Sequence, residues 1–380
     1  MNDQSPWMND ELVLFRKTVQ KFIEEKLVPN QDRWRTQHHP DRETWKEAGA
    51  LGILLADIPE EYGGGGGTIA HEVVVVEELA KAGIHFASIN QNIVAHYILR
   101  YGSEEQKRNW LPRMASGDLI AAIAMTEAGA GSDLQAIKTT ARRIDGNYVV
   151  HGSKTFVTNG YLADILAVAV KNDSGGSSAR GMSMIIIEPR SLSGYSVGQP
   201  IEKIGMHEQD TCELFFDNVC VPGSSLLGSS EGKGFAQMME QLPYERLLIA
   251  SSALATAERA LALTTKYTKE RVAFGGTLIE LQNTRFKLAE CKTECQIGRV
   301  FLDKCIGDFI AGRLDGVTAA MAKYWLTERA GSILDECVQL HGGYGYMKEY
   351  PVARMWADSR VHRIYAGSNE IMKEVIGASL

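Results

Sequence analysis

Positive charge is scarce in this sequence: 40 Lys and Arg stand against 47 Asp and Glu, a formal net charge of -7. That balance offers no basic field for a phosphate backbone, so no nucleic-acid partner is expected. Long apolar runs are missing as well. No stretch comes near the ~20 residues that cross a bilayer as a helix, so no membrane span is expected. Met1 to Asp10 is polar and acidic, with neither the basic-then-apolar order of a signal peptide nor the Arg-rich character of a transit peptide. The chain therefore reads as cytoplasmic. Six cysteines are scattered without a CxxC pair, and Cys291 and Cys295, four apart on a helix, have no histidine nearby. They read as reduced, mostly buried thiols, and no metal is expected. No GxGxxG follows a strand, which excludes a Rossmann type of dinucleotide site.

What is present divides the chain in three. At 380 residues it exceeds the ~250–300 that one core sustains. Leu12, Phe15, Val19, Phe22 and Ile23 return on one helical face, and Val73–Val76 open another helix, so residues 1–117 read as an α-helical domain. Ser103 with Gln106 three residues later is a capping-box start. Gly63 to Gly67 has no Lys-Ser/Thr after it and reads as a flexible turn before a helix, not a phosphate cradle. From 118 to 226 the character changes. Ile120–Met125, Tyr148–Val150, Ile165–Val170, Met182–Ile187 and Glu213–Phe216 are short runs separated by Gly, Asn, Asp and Ser, the spacing of an antiparallel β-domain. Lys171 to Ser178 reads as an exposed hairpin loop. Residues 227–380 return to helix, over Phe235–Leu242, Arg246–Thr268, Leu278–Gly312 and Val317–His341, with lengths suited to an up-and-down bundle.

Two polar segments of the β-domain carry chemistry. Ala124-Met125-Thr126-Glu127-Ala128-Gly129-Ala130-Gly131-Ser132-Asp133 leaves a strand for a turn of small residues, where glycines admit a ligand to the backbone and hydroxyls can donate to it. In Lys154-Thr155-Phe156-Val157-Thr158-Asn159-Gly160, an aromatic ring and a hydroxyl two residues apart project from one side of a strand, which suits a planar ligand. A third segment, Gln241-Leu242-Pro243-Tyr244-Glu245-Arg246, places a carboxylate beside a guanidinium at the head of an apolar helix; alone it reads as an ordinary solvated pair.

The first two segments resemble those of the acyl-CoA dehydrogenases, flavoproteins that oxidise the Cα–Cβ bond of an acyl thioester. Gln339-Leu340-His341-Gly342-Gly343-Tyr344-Gly345-Tyr346, continuing through Glu349, Arg354 and Asp358, is similar to a second signature of that family. Pro59–Gly64, Arg271–Gly275 with Gln282, and Ile364–Glu370 add smaller matches, so the resemblance runs over essentially the whole chain. It implies an α+β fold: an N-terminal α-helical domain, a middle antiparallel β-domain and a C-terminal four-helix bundle. It implies FAD as cofactor, with Met125, Thr126 and Ser132 along the flavin and thioester, Phe156 against the isoalloxazine and Thr158 near its N5. Arg271, Phe274, Gln282, Gln339, Gly342 and Gly343 would reach the adenine and diphosphate half of an FAD held by the neighbouring subunit. Ser368 and Glu370 would touch their own subunit's FAD. A homotetramer, an acyl-CoA substrate and an electron-transfer flavoprotein as acceptor follow from the same resemblance.

The chemistry of that family needs a base to remove the α-proton while hydride leaves Cβ for flavin N5, and a donor to the thioester oxygen. The donor falls at the backbone of Ala366, beside Gly367. In most members the residue at that position is itself the glutamate base, and here it is alanine. A minority, including the long-chain and isovaleryl-CoA dehydrogenases, carry the base on an earlier helix in a Glu-Arg pair, which Glu245-Arg246 resembles. Glu245 is then the catalytic base, with a pKa raised by burial, giving a trans-2-enoyl-CoA. Arg246 is either a packing residue or part of the substrate site. A long or branched acyl group is favoured, although Tyr244 could narrow the pocket. A carrier-protein thioester, nitroalkane-oxidase or monooxygenase chemistry on the same fold, and a non-catalytic flavin scaffold stay open as alternatives.

Overall fold

The computed structural model describes residues 5–172 and 181–380. The loop expected at Lys171 to Ser178 falls, from 173 onward, outside the described residues.

Six α-helices open the chain: α1 Asp10–Phe22, α2 Gln31–Gln37, α3 Arg42–Ala50, α4 Ile69–Ala82, α5 Ser88–Tyr101 and α6 Glu104–Ala115. The capping box at α6 is present, with Ser103 N–H donating to Gln106 Oε1 (2.9 Å) and Gln106 N–H to Ser103 Oγ (3.2 Å). The glycine run before α4 is a tight turn, not a loose one. Gly64, Gly65, Gly66 and Gly67 donate their N–H groups back to Pro59, Leu55, Ile58 and Ala56. A Cβ on Gly64 would stand 2.2 Å from the Ile58 carbonyl oxygen, so these glycines serve close approach of backbone to backbone.

The middle of the chain is one seven-stranded sheet: β1 Ala121–Ala124, β2 Thr140–Ile144, β3 Asn147–Thr158, β4 Ile165–Asn172, β5 Met182–Ile187, β6 Tyr195–Val197 and β7 Thr211–Val221. It is mixed, which corrects the antiparallel expectation: β4 runs parallel to both β1 and β2 and antiparallel to β5. The reason lies in β4 itself, whose Ile165–Val170 stretch is buried on both faces. A strand of that kind shows no alternation from which the direction of its partners can be read. β2 and β3 form a hairpin about Asp145-Gly146, both at positive φ (49° and 83°), the two-residue turn that an Asp-Gly pair favours.

Beyond the sheet come α7 Gly234–Glu270, the small hairpin β8 Val272–Ala273 and β9 Gly276–Thr277, then α8 Gln282–Ile310, α9 Gly316–His341, α10 Pro351–Ser359 and α11 Asn369–Gly377. Three long helices build the C-terminal unit, and the nine-residue α10 and α11 pack against α9 in place of a fourth long one. The spans read as two helices at Phe235–Leu242 and Arg246–Thr268 are one. Pro243 lies inside α7, where it takes away the bond that the Met239 carbonyl would have received, and packing of the surrounding turns carries the helix past that loss. α7 is also long and apolar enough to cross a bilayer, against the expectation that no such run exists. Most of its apolar stretch is buried within the fold, as in a core helix. Arg299 of α8 ties it in place, bonding Glu258 of α7 (2.8 Å) and Glu77 of α4 (2.6 Å).

Candidate active site

A cavity of about 460 Å³ lies where the three units meet. The sheet supplies Met125, Thr126, Ser132, Phe156 and Thr158; α7 supplies Glu245 and Arg246; the turn before α11 supplies Ala366 and Gly367. Nine residues singled out in separate parts of the sequence are thus brought to one space. Apolar side chains close the rest, among them Val76 and Leu79 of α4, Ile93 of α5, and Ile371 and Val375 of α11.

Each functional side chain is placed by a local cause. In β3 the pairing with β7 jumps between Lys154↔Leu214 and Val157↔Cys212, a bulge of one extra residue. The bulge puts Phe156 at φ 57° and leaves its ring 65% exposed, whereas Lys154, two residues earlier, is buried. In a regular strand the two would share a face. Lys154 secures the neighbouring segment: Nζ donates to the Met125 carbonyl (3.0 Å) and to Glu127 Oε1 (2.8 Å). Burial outweighs that partner and pulls the lysine down to about 8. Glu127 also accepts from the N–H groups of Lys138 and Thr139, so it knits the chain beside the cavity.

Glu245 is 6% exposed. Burial raises its carboxyl to about 7, while the charge of Arg246 and a hydrogen bond from Tyr97 work in the opposite direction. Among the described residues the only other carboxylate on the cavity wall, Asp133, is exposed. Arg246 is also buried, and its Nε has no hydrogen-bond partner among the described residues. That orphaned donor fits a wall that awaits a ligand better than a packing role. Tyr244 faces away from the cavity. Its hydroxyl donates to Asp57 Oδ2 (3.0 Å), with His96 Nε2 2.9 Å from the same oxygen, so it does not narrow the pocket, which the sequence had left open.

Ala366 and Gly367 form a turn at φ 51° and 87°. Neither N–H has a protein acceptor among the described residues. A left-handed alanine costs about 1 kcal/mol, a strain characteristic of functional turns.

The remaining expected residues lie elsewhere. Arg271, Gln339, Gly342 and Gly343 line a separate depression of about 580 Å³, where Arg271 stands 5.6 Å from the Tyr344 ring. Gly342 and Gly343 would meet no protein atom within 4 Å if given a Cβ. A guanidinium beside open glycine backbone suits a diphosphate. Phe274 is 96% exposed at the tip of the β8–β9 hairpin, and Gln282 is exposed at the start of α8. Ser368 caps α11, accepting from Ile371 N–H, and Glu370 is exposed in its first turn. No group of three His, Cys, Asp or Glu among the described residues is placed to hold a metal.

The cavity fits a flavin on its own chemistry: an exposed aromatic ring, hydroxyls at Thr126, Ser132 and Thr158, and Gly131 with no atom within 4 Å of a would-be Cβ. Tyr97, which bonds Glu245, and Lys323, which holds the Gly367 carbonyl, were not found from sequence. Their only signal was a polar residue within an apolar stretch, which does not say what it faces.

Family models for the acyl-CoA dehydrogenase N-terminal, middle and C-terminal domains match residues 9–118, 122–219 and 232–380. The long-chain specific acyl-CoA dehydrogenase of Sus scrofa mitochondria is 44% identical over 371 residues, covering 97% of this chain and 86% of that protein. The crystal structure of an acyl-CoA dehydrogenase from Geobacillus kaustophilus is 43% identical, with a TM-score of 0.96 and 99% of each chain covered. A glutaryl-CoA dehydrogenase from Mycobacterium smegmatis, solved in complex with FADH2, is 29% identical, with a TM-score of 0.91 over 99% of this chain and 96% of that one.

Proposed function

This chain belongs to the acyl-CoA dehydrogenase family and dehydrogenates an acyl-CoA with FAD as its cofactor; within that activity we propose that Glu245 takes the α-proton of a long-chain or branched acyl thioester, leaving a trans-2-enoyl-CoA. The observation that carries this reading is a buried carboxylate at about 7 on the same cavity wall as Ala366, the position that has no carboxylate to offer. Such a base is partly deprotonated at neutral pH and basic enough to accept a carbon-bound proton once the thioester oxygen is stabilised.

When bound, FAD supplies the acceptor for the β-hydride at its N5. The residues that would hold it are Met125, Thr126, Ser132, Phe156 and Thr158 in the cavity, with Ser368 and Glu370 beside the same subunit's cofactor. Arg271, Phe274, Gln282, Gln339, Gly342 and Gly343 would serve the cofactor of a neighbouring subunit in a homotetramer, which accounts for Phe274 and Gln282 standing exposed in the single chain. The free N–H groups of Ala366 and Gly367 take the thioester oxygen, and Arg246 adds positive charge on that wall. The apolar surface of α4, α5 and α11 excludes water from the acyl chain, and its extent favours a long or branched group. An electron-transfer flavoprotein is the acceptor that reoxidises the enzyme.

The test is anaerobic mixing of the flavoprotein with saturated acyl-CoAs of graded length and branching, followed by flavin absorbance. Bleaching with the highest kcat/KM for long or branched chains is the expected result. Preference for a four-carbon chain would remove the chain-length reading, and no bleaching by any acyl-CoA would remove the whole assignment.

A further inference from the structure

The Ala366–Gly367 turn has no polar side chain of its own to fix it. The fixing group comes from α9. Lys323 is 0% exposed, and its Nζ donates to the Gly367 carbonyl (2.8 Å) and to Asn369 Oδ1 (2.9 Å). Asn369 is anchored in turn, its Nδ2 donating to Thr327 Oγ1 (3.0 Å) and Glu328 Oε1 (2.9 Å), both on α9 and one helical turn beyond Lys323. Lys323 therefore ties the carbonyl of the cavity turn itself to a long core helix, beside a second tie from Asn369 to the same helix.

A buried lysine is a costly way to satisfy two neutral acceptors. No carboxylate among the described residues lies within salt-bridge distance of Nζ, and burial together with the charge of Arg246 pulls the ammonium down to about 7. Arg246 stands against the same turn, its Nη2 3.8 Å from where a Cβ on Gly367 would sit. Lys323 does not itself line the cavity. It holds the Gly367–Ser368 peptide, the one that directly follows the peptides carrying the Ala366 and Gly367 N–H groups.

Resting on the reading that this turn receives the thioester oxygen, we propose that Lys323 is a positioning residue for thioester activation. By holding the Gly367 carbonyl it sets the rotation of the turn, and so keeps the Ala366 and Gly367 N–H groups directed at the oxygen on which negative charge grows. A shift of these donors of the order of 1 Å is enough to weaken them, because their value depends on being in place before the charge develops.

The test uses holoenzyme and the reaction product, a trans-2-enoyl-CoA labelled with 13C at the thioester carbon. This probe binds without further reaction, and isotope-edited infrared spectroscopy reads its C=O stretch, which moves to lower frequency as the oxygen accepts hydrogen bonds. In wild type the bound carbonyl should lie well below its frequency in water. In Lys323→Met most of that displacement should disappear, kcat should fall by about 10- to 100-fold, and KM should stay within about threefold. Lys323→Arg should recover part of both. Lys323→Gln, which is one atom shorter but keeps a nitrogen donor, should lie between, and it carries the test if the Met variant does not fold. An unchanged carbonyl frequency in the folded variants overturns the proposal, as does a loss of activity that only tracks lost FAD. Absence of any displacement in wild type overturns the thioester reading of the turn itself.

Discussion

Tyr97 and Glu245 meet inside the protein: the phenol, on α5, donates to Oε1 of the carboxylate on α7 across 3.4 Å, and both side chains are almost fully buried. The residues are 148 positions apart. The bond favours the charged carboxylate and thereby restrains the upward shift that burial imposes on it. Tyr97→Phe removes the donor without opening a large cavity. The pH at which the reductive half-reaction reaches half its limiting rate should then move upward by about half a unit to one unit, since a hydrogen bond to a charged group is worth ~1.5 kcal/mol or less at this length. An unchanged midpoint would mean that the phenol only packs.

The raised carboxyl has two pH consequences of opposite sign. Activity depends on the deprotonated base, so kcat/KM should rise as pH passes through about 7. Stability runs the other way. A carboxyl raised from 4.5 in the unfolded chain to about 7 in the fold favours the folded state most below 4.5, and that contribution is lost as pH rises through 7. Glu245→Gln should therefore be more stable than wild type at pH 8, by up to ~3 kcal/mol, and show little gain at pH 5. Thermal unfolding of both proteins at the two pH values checks this.

Helices with periodic apolar faces and motifs rich in Gly, Ser and Thr were legible in the sequence, because each depends on neighbours within a few positions. The Ser103–Gln106 cap is such a feature. What could not be read depended on the third dimension. The bulge that exposes Phe156 and buries Lys154 is a mismatch of β3 against β7, whose register no single strand contains. Pro243 looks like a helix end until the packing around α7 carries it through. Tyr244 stands next to the base in sequence, yet its hydroxyl goes to Asp57 on the other side of the helix. Lys323 reaches the cavity turn from 44 residues away, so nothing local marks it. The Asp145-Gly146 turn was readable and would have located β2, which was missed.

The glycine run supplies a test of packing alone. Gly64→Ala places a methyl 2.2 Å from the Ile58 carbonyl oxygen and 2.6 Å from Ile58 Cβ, neither of which has room to move. A loss of about 3 kcal/mol is expected. Gly316→Ala, at the start of α9 with no atom within 4 Å of its would-be Cβ, should be neutral or slightly stabilising. Denaturant titration of the two variants distinguishes a tight turn from a flexible one, for which both substitutions would be harmless.

Catalysis turns on a single carboxylate, and rapid anaerobic mixing of Glu245→Gln holoenzyme with a long-chain acyl-CoA tests its role most directly. FAD content and acyl-CoA binding should stay close to wild type, and the rate of flavin bleaching should fall by about 10²- to 10⁴-fold, the usual cost of losing a general base. Rapid bleaching retained in a fully loaded Glu245→Gln variant would contradict the assignment of Glu245 as the base.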